Sequence, residues 1–137
     1  MWKHLTKPRI IYDGLGEPYL RRWHLLPKNK FFNVWLHQFL KDDDDRAMHD
    51  HPFASLSLCV SGSYDELCSD GVIRTRKRGA IVYRSATYRH SIFISNRPHK
   101  TAWTLFVTGR VVRKWGFWCD ENTFILSTDY HSGDGCD

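Results

Sequence analysis

The chain has 137 residues, with 20 Lys and Arg residues against 15 Asp and Glu residues and a hydrophobic content of 42%. This length suits one domain with a hydrophobic core, and the composition excludes a disordered or low-complexity chain. We expect a single domain over residues 1–130 and a disordered polar tail over residues 131–137.

Short apolar runs at period two, separated by turn residues, indicate strands along the chain. The predicted strands are Tyr19–Leu26, Phe31–Leu40, Phe53–Tyr64, Val72–Lys77, Ala80–Arg84, His90–Ser95, Thr101–Thr108 and Thr123–Thr128. The aromatic segment Trp115–Trp118 is expected to pack on the outer face of this β-structure. Many short strands without a convincing helix pattern predict an all-β sandwich or jelly-roll barrel, which closes the strands without long exposed edges.

The strongest chemical signal is the sequence His49-Asp50-His51-Pro52, just before the longest predicted strand. In an extended backbone, residues i and i+2 point to the same face, so His49 and His51 can present two imidazoles to one point while Asp50 faces away. Neutral imidazole nitrogens suit Fe, Zn, Cu, Ni or Mn, and a third ligand from another strand would complete one face of the coordination sphere.

The predicted strand that follows this pair has two different faces. The residues in phase with the histidines include Ser55, Ser57 and Cys59, whereas Leu56 and Leu58 lie on the opposite face. Small polar side chains on the ligand face leave room for a pocket beside a metal. We therefore expect Ser55 and Ser57 to line a substrate pocket.

These residues resemble the two motifs of the cupin superfamily. The first motif is matched by His49, His51 and Gly62, and the second by Gly79 and His90. The resemblance implies a single-domain cupin, a double-stranded β-helix or jelly-roll barrel, in which His49, His51 and His90 bind one divalent metal ion. Ser55 stands where many cupins have a glutamate ligand, so the implied ligand set is three neutral histidines.

A three-histidine cupin without that glutamate is similar to the thiol dioxygenases, which use Fe(II) and O2 to oxidise a thiol to a sulfinate. Tyr19-Leu20-Arg21 resembles their segment with a carboxylate-binding arginine, and Gly62–Glu66 resembles the glycine turn and acidic end that follow. The outer-shell histidine and tyrosine of those enzymes would fall near Leu105 and Val107, which are apolar. The resemblance implies Fe(II) as the cofactor, with Zn, Ni or Mn as alternatives.

Several further residues are candidates for contact with a small-molecule substrate. A guanidinium can bind a carboxylate through two parallel hydrogen bonds, which Arg21 or Arg22 would supply. Tyr88 and Trp103 are candidates for the pocket wall, although aromatic residues on such strands usually belong to the core. His37 lies on a predicted strand face with Trp35 and Phe39 and is more often a core or surface histidine than a ligand.

Three function classes stay open on the sequence. The first is a non-haem Fe(II) dioxygenase acting on a small thiol or a carboxylate-bearing substrate. The second is an isomerase or epimerase of a small sugar or acid, which needs a general base such as Tyr88, Tyr64 or His37. The third is a non-catalytic ligand-binding module or a nucleic-acid-associated protein, because the basic excess suits an acidic partner.

The chain shows no secretory signal, no apolar stretch long enough to cross a membrane and no CxxC pair among its four cysteines. We therefore expect a cytoplasmic protein with free thiols and no membrane partner. Apolar residues near the N-terminus, Trp2, Ile10 and Ile11, would suit a homodimer contact.

Overall fold

The structure, a computed structural model of the chain, describes residues 7–12, 16–43, 48–119 and 123–126. Within these ranges the regular structure is entirely β-strand, and no helix there could cross a membrane. The strands are β1 (Arg9–Tyr12), β2 (Pro18–His24), β3 (Asn33–Phe39), β4 (Met48–His49), β5 (Ser55–Leu67), β6 (Ile73–Lys77), β7 (Ile81–Arg84), β8 (Ser91–Phe93), β9 (Ala102–Thr108), β10 (Gly116–Trp118) and β11 (Phe124–Leu126). The prediction of an all-β fold is confirmed.

Strand β5 organises the fold because it has partners along both halves of its 13 residues. Its first half pairs with β7 and β9, and its second half pairs with β6 and β8, always antiparallel. The larger sheet runs in the order β1-β2-β3-β9-β5-β6, with β7 and β8 attached to β5, while β11, β10 and β4 form a three-stranded sheet. A single strand therefore supplies side chains to both halves of the interior.

Gly62 allows β5 to bend where its partners change. The register between β5 and β9 shifts between Cys59 and Ser61, and Gly62 follows with a φ angle of 72°. A Cβ atom at this position would lie only 2.5 Å from the carbonyl oxygen of Thr101. Positive φ and close backbone approach together require glycine. The strand predicted to end at Tyr64 therefore bends at Gly62 and continues to Leu67.

The interior has an apolar half and an aromatic half. The apolar half is a cluster of buried residues: Leu20, Phe39, Cys59, Tyr64, Ile92, Ile94 and Ala102. In the aromatic half, the Trp35 ring stacks on those of His37 and Phe106 and meets the Phe53 ring edge-on. Alternate residues of β3 face inward, which explains why Trp35, His37 and Phe39 are all buried.

Each predicted strand has a counterpart in the described residues, but β1, β4 and β10 were not predicted. Strand β4 has two residues and β10 has three, too few for a periodic pattern, and both exist because they pair with each other. The prediction that Trp115–Trp118 packs on the outer face is wrong, since β10 pairs directly with the strand that carries His49. Residues 131–137 and Trp2 lie outside the described residues.

The cysteines differ in state. Cys59 and Cys68 are buried and free, in agreement with the expectation from the sequence. Cys119 is disulfide-bonded, so the expectation of a free thiol is wrong at that position.

Candidate metal centre

The structure brings His49, His51 and His90 together, as the sequence predicted. Each offers one nitrogen to a group in which the candidate ligand atoms all lie within 4.8 Å of one another. The ring centroids are 5.0 Å apart for His49 and His51, 4.7 Å for His49 and His90, and 5.1 Å for His51 and His90. Three imidazoles at this spacing form a group that could hold a metal ion.

Backbone pairing fixes the relative position of two of these histidines. His49 and His90 form an isolated antiparallel bridge, in which the His49 amide donates to the His90 carbonyl at 2.9 Å and the His90 amide donates back at 3.0 Å. The His51 amide donates to the carbonyl of Ala86, in the segment that leads to His90. The two parts of the site therefore cannot shift independently.

Asp50 faces away from the group, as expected for the residue between the two histidines. It is 1% exposed and accepts hydrogen bonds from the Gly116 amide at 2.8 Å and the Trp118 indole nitrogen at 3.0 Å. Arg113 lies 2.9 Å from the same carboxylate. Asp50 thus anchors β10 against the histidine pair, which brings the Trp115 and Phe117 rings within 6.4 Å and 6.1 Å of the His49 ring.

The sequence prediction missed Glu66, which lies behind His90. Glu66 is completely buried, and its Oε2 atom accepts a hydrogen bond from His90 Nδ1 at 2.7 Å. Hydrogen bonds from a carboxylate to a metal-binding histidine fix its tautomer and orientation. The site therefore does contain a carboxylate, but as a partner of His90 rather than at the glutamate position occupied by Ser55. The acidic end of the Gly62–Glu66 segment was the available signal.

Two arginines hold Glu66 in place. Arg84 Nε donates to Oε2 at 2.7 Å, and Arg76 Nε donates to Oε1 at 2.9 Å. Burial alone would raise the pKa of Glu66, but the hydrogen bonds from His90 and Arg84 outweigh burial and hold the pKa well below its usual range. Glu66 is therefore ionised and can only accept hydrogen bonds, so His90 Nδ1 carries the proton.

Asp43 has a similar position beside His49. Its Oδ2 atom lies 3.4 Å from His49 Nδ1 and also accepts a hydrogen bond from the Ile92 amide at 2.7 Å. The hydroxyl of Tyr19 donates to the other oxygen of this carboxylate. A backbone amide of β8 thus positions Asp43, which in turn can orient the His49 ring.

The histidines have the protonation state and the unsatisfied atoms that a metal ligand needs. Burial lowers the pKa of His90 to about 3, and burial followed by the charges of His49 and His90 lowers the pKa of His51 well below its usual range. Both rings are therefore neutral near pH 7. His90 Nε2 and His51 Nδ1 are buried and have no hydrogen-bond partner among the described residues. Because an unsatisfied buried nitrogen is costly, the residues present fit a bound cation.

The two candidate arginines point in opposite directions. Arg21 is exposed and donates a hydrogen bond to Gln38 on the outer face, so the structure does not bring it to the histidine group. Arg22 faces inward, where its Nε atom donates to His37 Nε2 at 3.0 Å and its guanidinium lies 3.8 Å from the centroid of the Trp35 ring. Because side chains alternate along β2, Arg22 and not Arg21 points into the interior.

The remaining candidates also separate by strand face. Ser55 and Ser57 are each 3% exposed and face inward, as predicted, but the Ser57 hydroxyl accepts a hydrogen bond from Arg84 at 3.0 Å. Tyr88 lies beside the site, with its ring centroid 5.9 Å from that of His90. Trp103 does not join them: it pairs with Gln38 and stacks on Trp23 at 5.3 Å, on the outer face.

Strand β9 contains Leu105 and Val107, the apolar residues near the positions where the thiol dioxygenases have an outer-shell histidine and a tyrosine. Buried Thr104 faces inward beside His37, and Phe106 stacks on the His37 ring at 5.1 Å. Leu105 and Val107 are out of phase with them and pair with Leu36 and Val34. The described part of β9 thus supplies an aromatic wall to the site, with no histidine or tyrosine.

Comparisons with known proteins identify the fold through similar solved structures. No protein-family model and no curated protein matches the chain. A cupin-like protein from Thermotoga maritima is 12% identical, with 72% of this chain and 75% of that chain covered and a TM-score of 0.59. A protein with a double-stranded β-helix domain from Klebsiella pneumoniae is 16% identical over 72% of this chain and 84% of that chain, with a TM-score of 0.57.

A structure described as an FeII form is similar to the same degree. The FeII structure of HppE is 13% identical to this chain, with a TM-score of 0.59, and the match covers 79% of this chain and 59% of that chain. At these identities the likeness concerns the fold alone. With the strand order and the inward-facing histidine group, it shows that this chain adopts the cupin fold.

Proposed function

We propose that His49, His51 and His90 bind one divalent metal ion, Fe(II), and that the protein is a dioxygenase of a small substrate that carries a thiol or a carboxylate. The observation that carries this proposal is the state of His90. Its Nδ1 atom donates to ionised Glu66, and its Nε2 atom is buried without a partner among the described residues. This arrangement prepares a neutral imidazole to donate a lone pair to a cation.

The surrounding residues orient the ligands. Glu66 fixes the tautomer of His90, and Arg84 and Arg76 keep Glu66 ionised and stationary. Asp43 lies against Nδ1 of His49, which would leave the other ring nitrogen available to the ion. Fe(II) held by three protein ligands would retain open positions at which O2 and a substrate can meet.

Two features of the interior suit a small anionic substrate. Three neutral histidines leave the charge of the ion uncompensated by its ligands, so an anionic group is favoured as a further ligand. Arg22 lies on the inner face with no ion pair to a carboxylate among the described residues, and a guanidinium there can bind a substrate carboxylate. The likeness to the FeII structure of HppE supports iron as the metal to test first.

The test is oxygen consumption by the protein loaded anaerobically with one equivalent of Fe(II), using a panel of small thiols and 2-oxo acids. We expect uptake of O2 that requires both Fe(II) and one class of substrate, and that is absent in Zn(II)-loaded protein and in His51→Ala. Stoichiometric Fe(II) without O2 uptake across the panel contradicts the dioxygenase. Conversion of a sugar or acid by Zn(II)- or Mn(II)-loaded protein without O2 also contradicts it, because that outcome indicates an isomerase.

A further inference from the structure

A cavity of about 350 Å³ opens beside the aromatic half of the interior. Five basic side chains line it, together with His24 and two asparagines, and none of the described lining residues is an Asp or Glu. The basic residues are Arg9, Arg22, Lys28, Lys30 and Arg110. Such a concentration of one charge around a concave site attracts anions.

Arg22 is the most deeply placed of these cations. It donates through Nε to His37 and stacks on Trp35, but its two terminal nitrogens donate no hydrogen bond to any described residue. Burial, followed by the charge of Arg9, lowers the pKa of Arg22 to about 10, so the side chain is still cationic at neutral pH. A partly buried cation without an anion is unfavourable, and a bound anion would remove this cost.

The other four cations of the cavity also have no carboxylate partner within the described ranges. Elsewhere in the same ranges, arginines commonly pair with acidic residues at short distance: Arg74 with Asp70, Arg76 and Arg84 with Glu66, and Arg113 with Asp50. Five cations without a carboxylate partner in the described ranges therefore line one cavity. The distribution indicates a ligand that supplies the missing negative charge.

Hydrogen bonds hold the walls of the cavity in place. The Asn29 side chain accepts from the Phe31 and Phe32 amides at 2.8 Å and 3.1 Å, which braces the turn that carries Lys28 and Lys30. On the other side, the Gly109 amide donates to Ala54 and the Val112 amide donates to Pro52, which fixes the segment around Arg110. A largely pre-formed wall reduces the entropy lost when a ligand binds.

We propose that this cavity binds the phosphoryl group of a small organophosphate. Several Arg and Lys side chains around one cavity suit a dianion with three terminal oxygens better than a single carboxylate. The volume is in the range of small-molecule pockets, and Trp35 and Phe53 provide an apolar surface for the rest of the ligand. A nucleic-acid strand would instead need an extended basic groove.

This site is distinct from the histidine group. None of the three histidines lines the cavity; Phe53 does, and its ring centroid lies 6.0 Å from that of His51. Binding of phosphate therefore requires no metal, and loss of the metal centre leaves it intact. The inference goes beyond the proposed dioxygenase and shares only Arg22 with it. Phosphate binding and Fe(II)-dependent O2 uptake are separate measurements, so either proposal can fail without the other.

The test is calorimetric titration of the full chain with inorganic phosphate, methyl phosphate and acetate. In the wild type we expect saturable one-to-one binding of both phosphates and at least tenfold weaker binding of acetate. In Arg22→Gln, and in the double variant Lys30→Gln/Arg110→Gln, we expect phosphate binding to be at least tenfold weaker than in the wild type. The exposed Lys77 on β6 gives a matched control, because Lys77→Gln also removes one charge but lies away from the cavity.

Lys77→Gln and His51→Ala should bind phosphate within twofold of the wild type. An equal loss in Lys77→Gln would show that only net charge matters and would overturn the site. Binding of a single-stranded oligonucleotide without saturable binding of either phosphate would overturn it as well. The double variant changes two exposed residues, so it keeps the test decisive if Arg22→Gln does not fold.

Discussion

Replacement of Glu66 by glutamine tests how the fold prepares the proposed metal ligands. Oε1 of Glu66 accepts from Arg76, and Oε2 accepts from both Arg84 and His90. In Glu66→Gln one of these oxygens becomes an NH2 group, which must face an N–H donor in either orientation. The variant has nearly the same shape, but it loses the negative charge that fixes the tautomer of His90.

We expect Glu66→Gln to weaken both metal binding and the stability of the metal-free protein. Loss of a carboxylate that hydrogen-bonds a metal-binding histidine weakens metal affinity by about 10- to 100-fold, or about 1.4 to 2.7 kcal/mol. The free energy of unfolding of the metal-free protein should fall by about 3–5 kcal/mol, because Arg84 is 2% exposed and would lose its charge partner.

Competition of the folded protein with a chromophoric chelator for Zn(II) measures the metal affinity, and urea unfolding in the presence of a metal chelator measures the stability. Asp65→Asn is the matched control: Asp65 is the neighbouring residue and accepts from Thr75 on the other face of β5. It should leave Zn(II) affinity within twofold of the wild type. Equal Zn(II) affinity in Glu66→Gln and the wild type would refute the role assigned to Glu66.

Three further predictions concern the fold. Gly62→Ala should lower the free energy of unfolding by about 1–3 kcal/mol or more, because the new Cβ atom meets the Thr101 carbonyl oxygen and the φ angle is positive. Asp50→Asn should cost about 3–5 kcal/mol, because a buried carboxylate that binds Arg113 and β10 loses its charge. His37→Gln should reduce the pH dependence of stability below pH 6.5 by up to about 1.4 kcal/mol per pH unit.

The sign of the pH effect follows from the direction of the shift. Burial, then the charges of Arg22 and His24, lower the pKa of His37 well below its usual range. Between that lowered pKa and about 6.5, the unfolded chain binds a proton that the folded chain does not, so stability falls as the pH falls. Replacement of the exposed His99 by glutamine is the control. If the dependence of stability on pH is the same in His37→Gln as in the wild type, the role assigned to His37 is contradicted.

Controls for the other two variants come from the chain itself. Gly71 also has a positive φ angle, but nothing lies within 4 Å of a Cβ atom built there, so Gly71→Ala should cost less than Gly62→Ala in urea unfolding. Equal costs would show that the close approach to Thr101 is unimportant. For Asp50→Asn, a free energy of unfolding equal to that of Asp65→Asn would contradict the anchoring of β10.

The sequence predicted two of the three candidate ligands, His49 and His51, because their geometry is local, whereas His90 came from the resemblance to the second cupin motif. Alternation in an extended backbone predicted that His49 and His51 share a face, and inward-facing Ser55 and Ser57 follow with the same parity. Arg22 and Arg21 could not be separated in this way, since both are polar and only the pairing with β3 shows which one faces inward. A choice between adjacent residues depends on the register of the sheet.

Long-range contacts explain what the sequence prediction missed. Glu66 reaches His90 because the second half of β5 pairs with β8, and that pairing follows the bend at Gly62. The segment Gly116–Trp118 becomes a strand through its pairing with β4 and through Asp50, which lies far from it in the chain. Neither pairing leaves a periodic pattern in the sequence of so short a segment.

The central claim, that the three histidines hold a metal ion, is tested most directly by elemental analysis of the purified protein, prepared with and without oxygen. We predict one equivalent of a divalent metal in the wild type and in the control His99→Ala, and less than a tenth of an equivalent in His51→Ala and His90→Ala, with both variants folded. A metal-free wild type under both conditions, or a metal content that neither substitution changes, would contradict the claim.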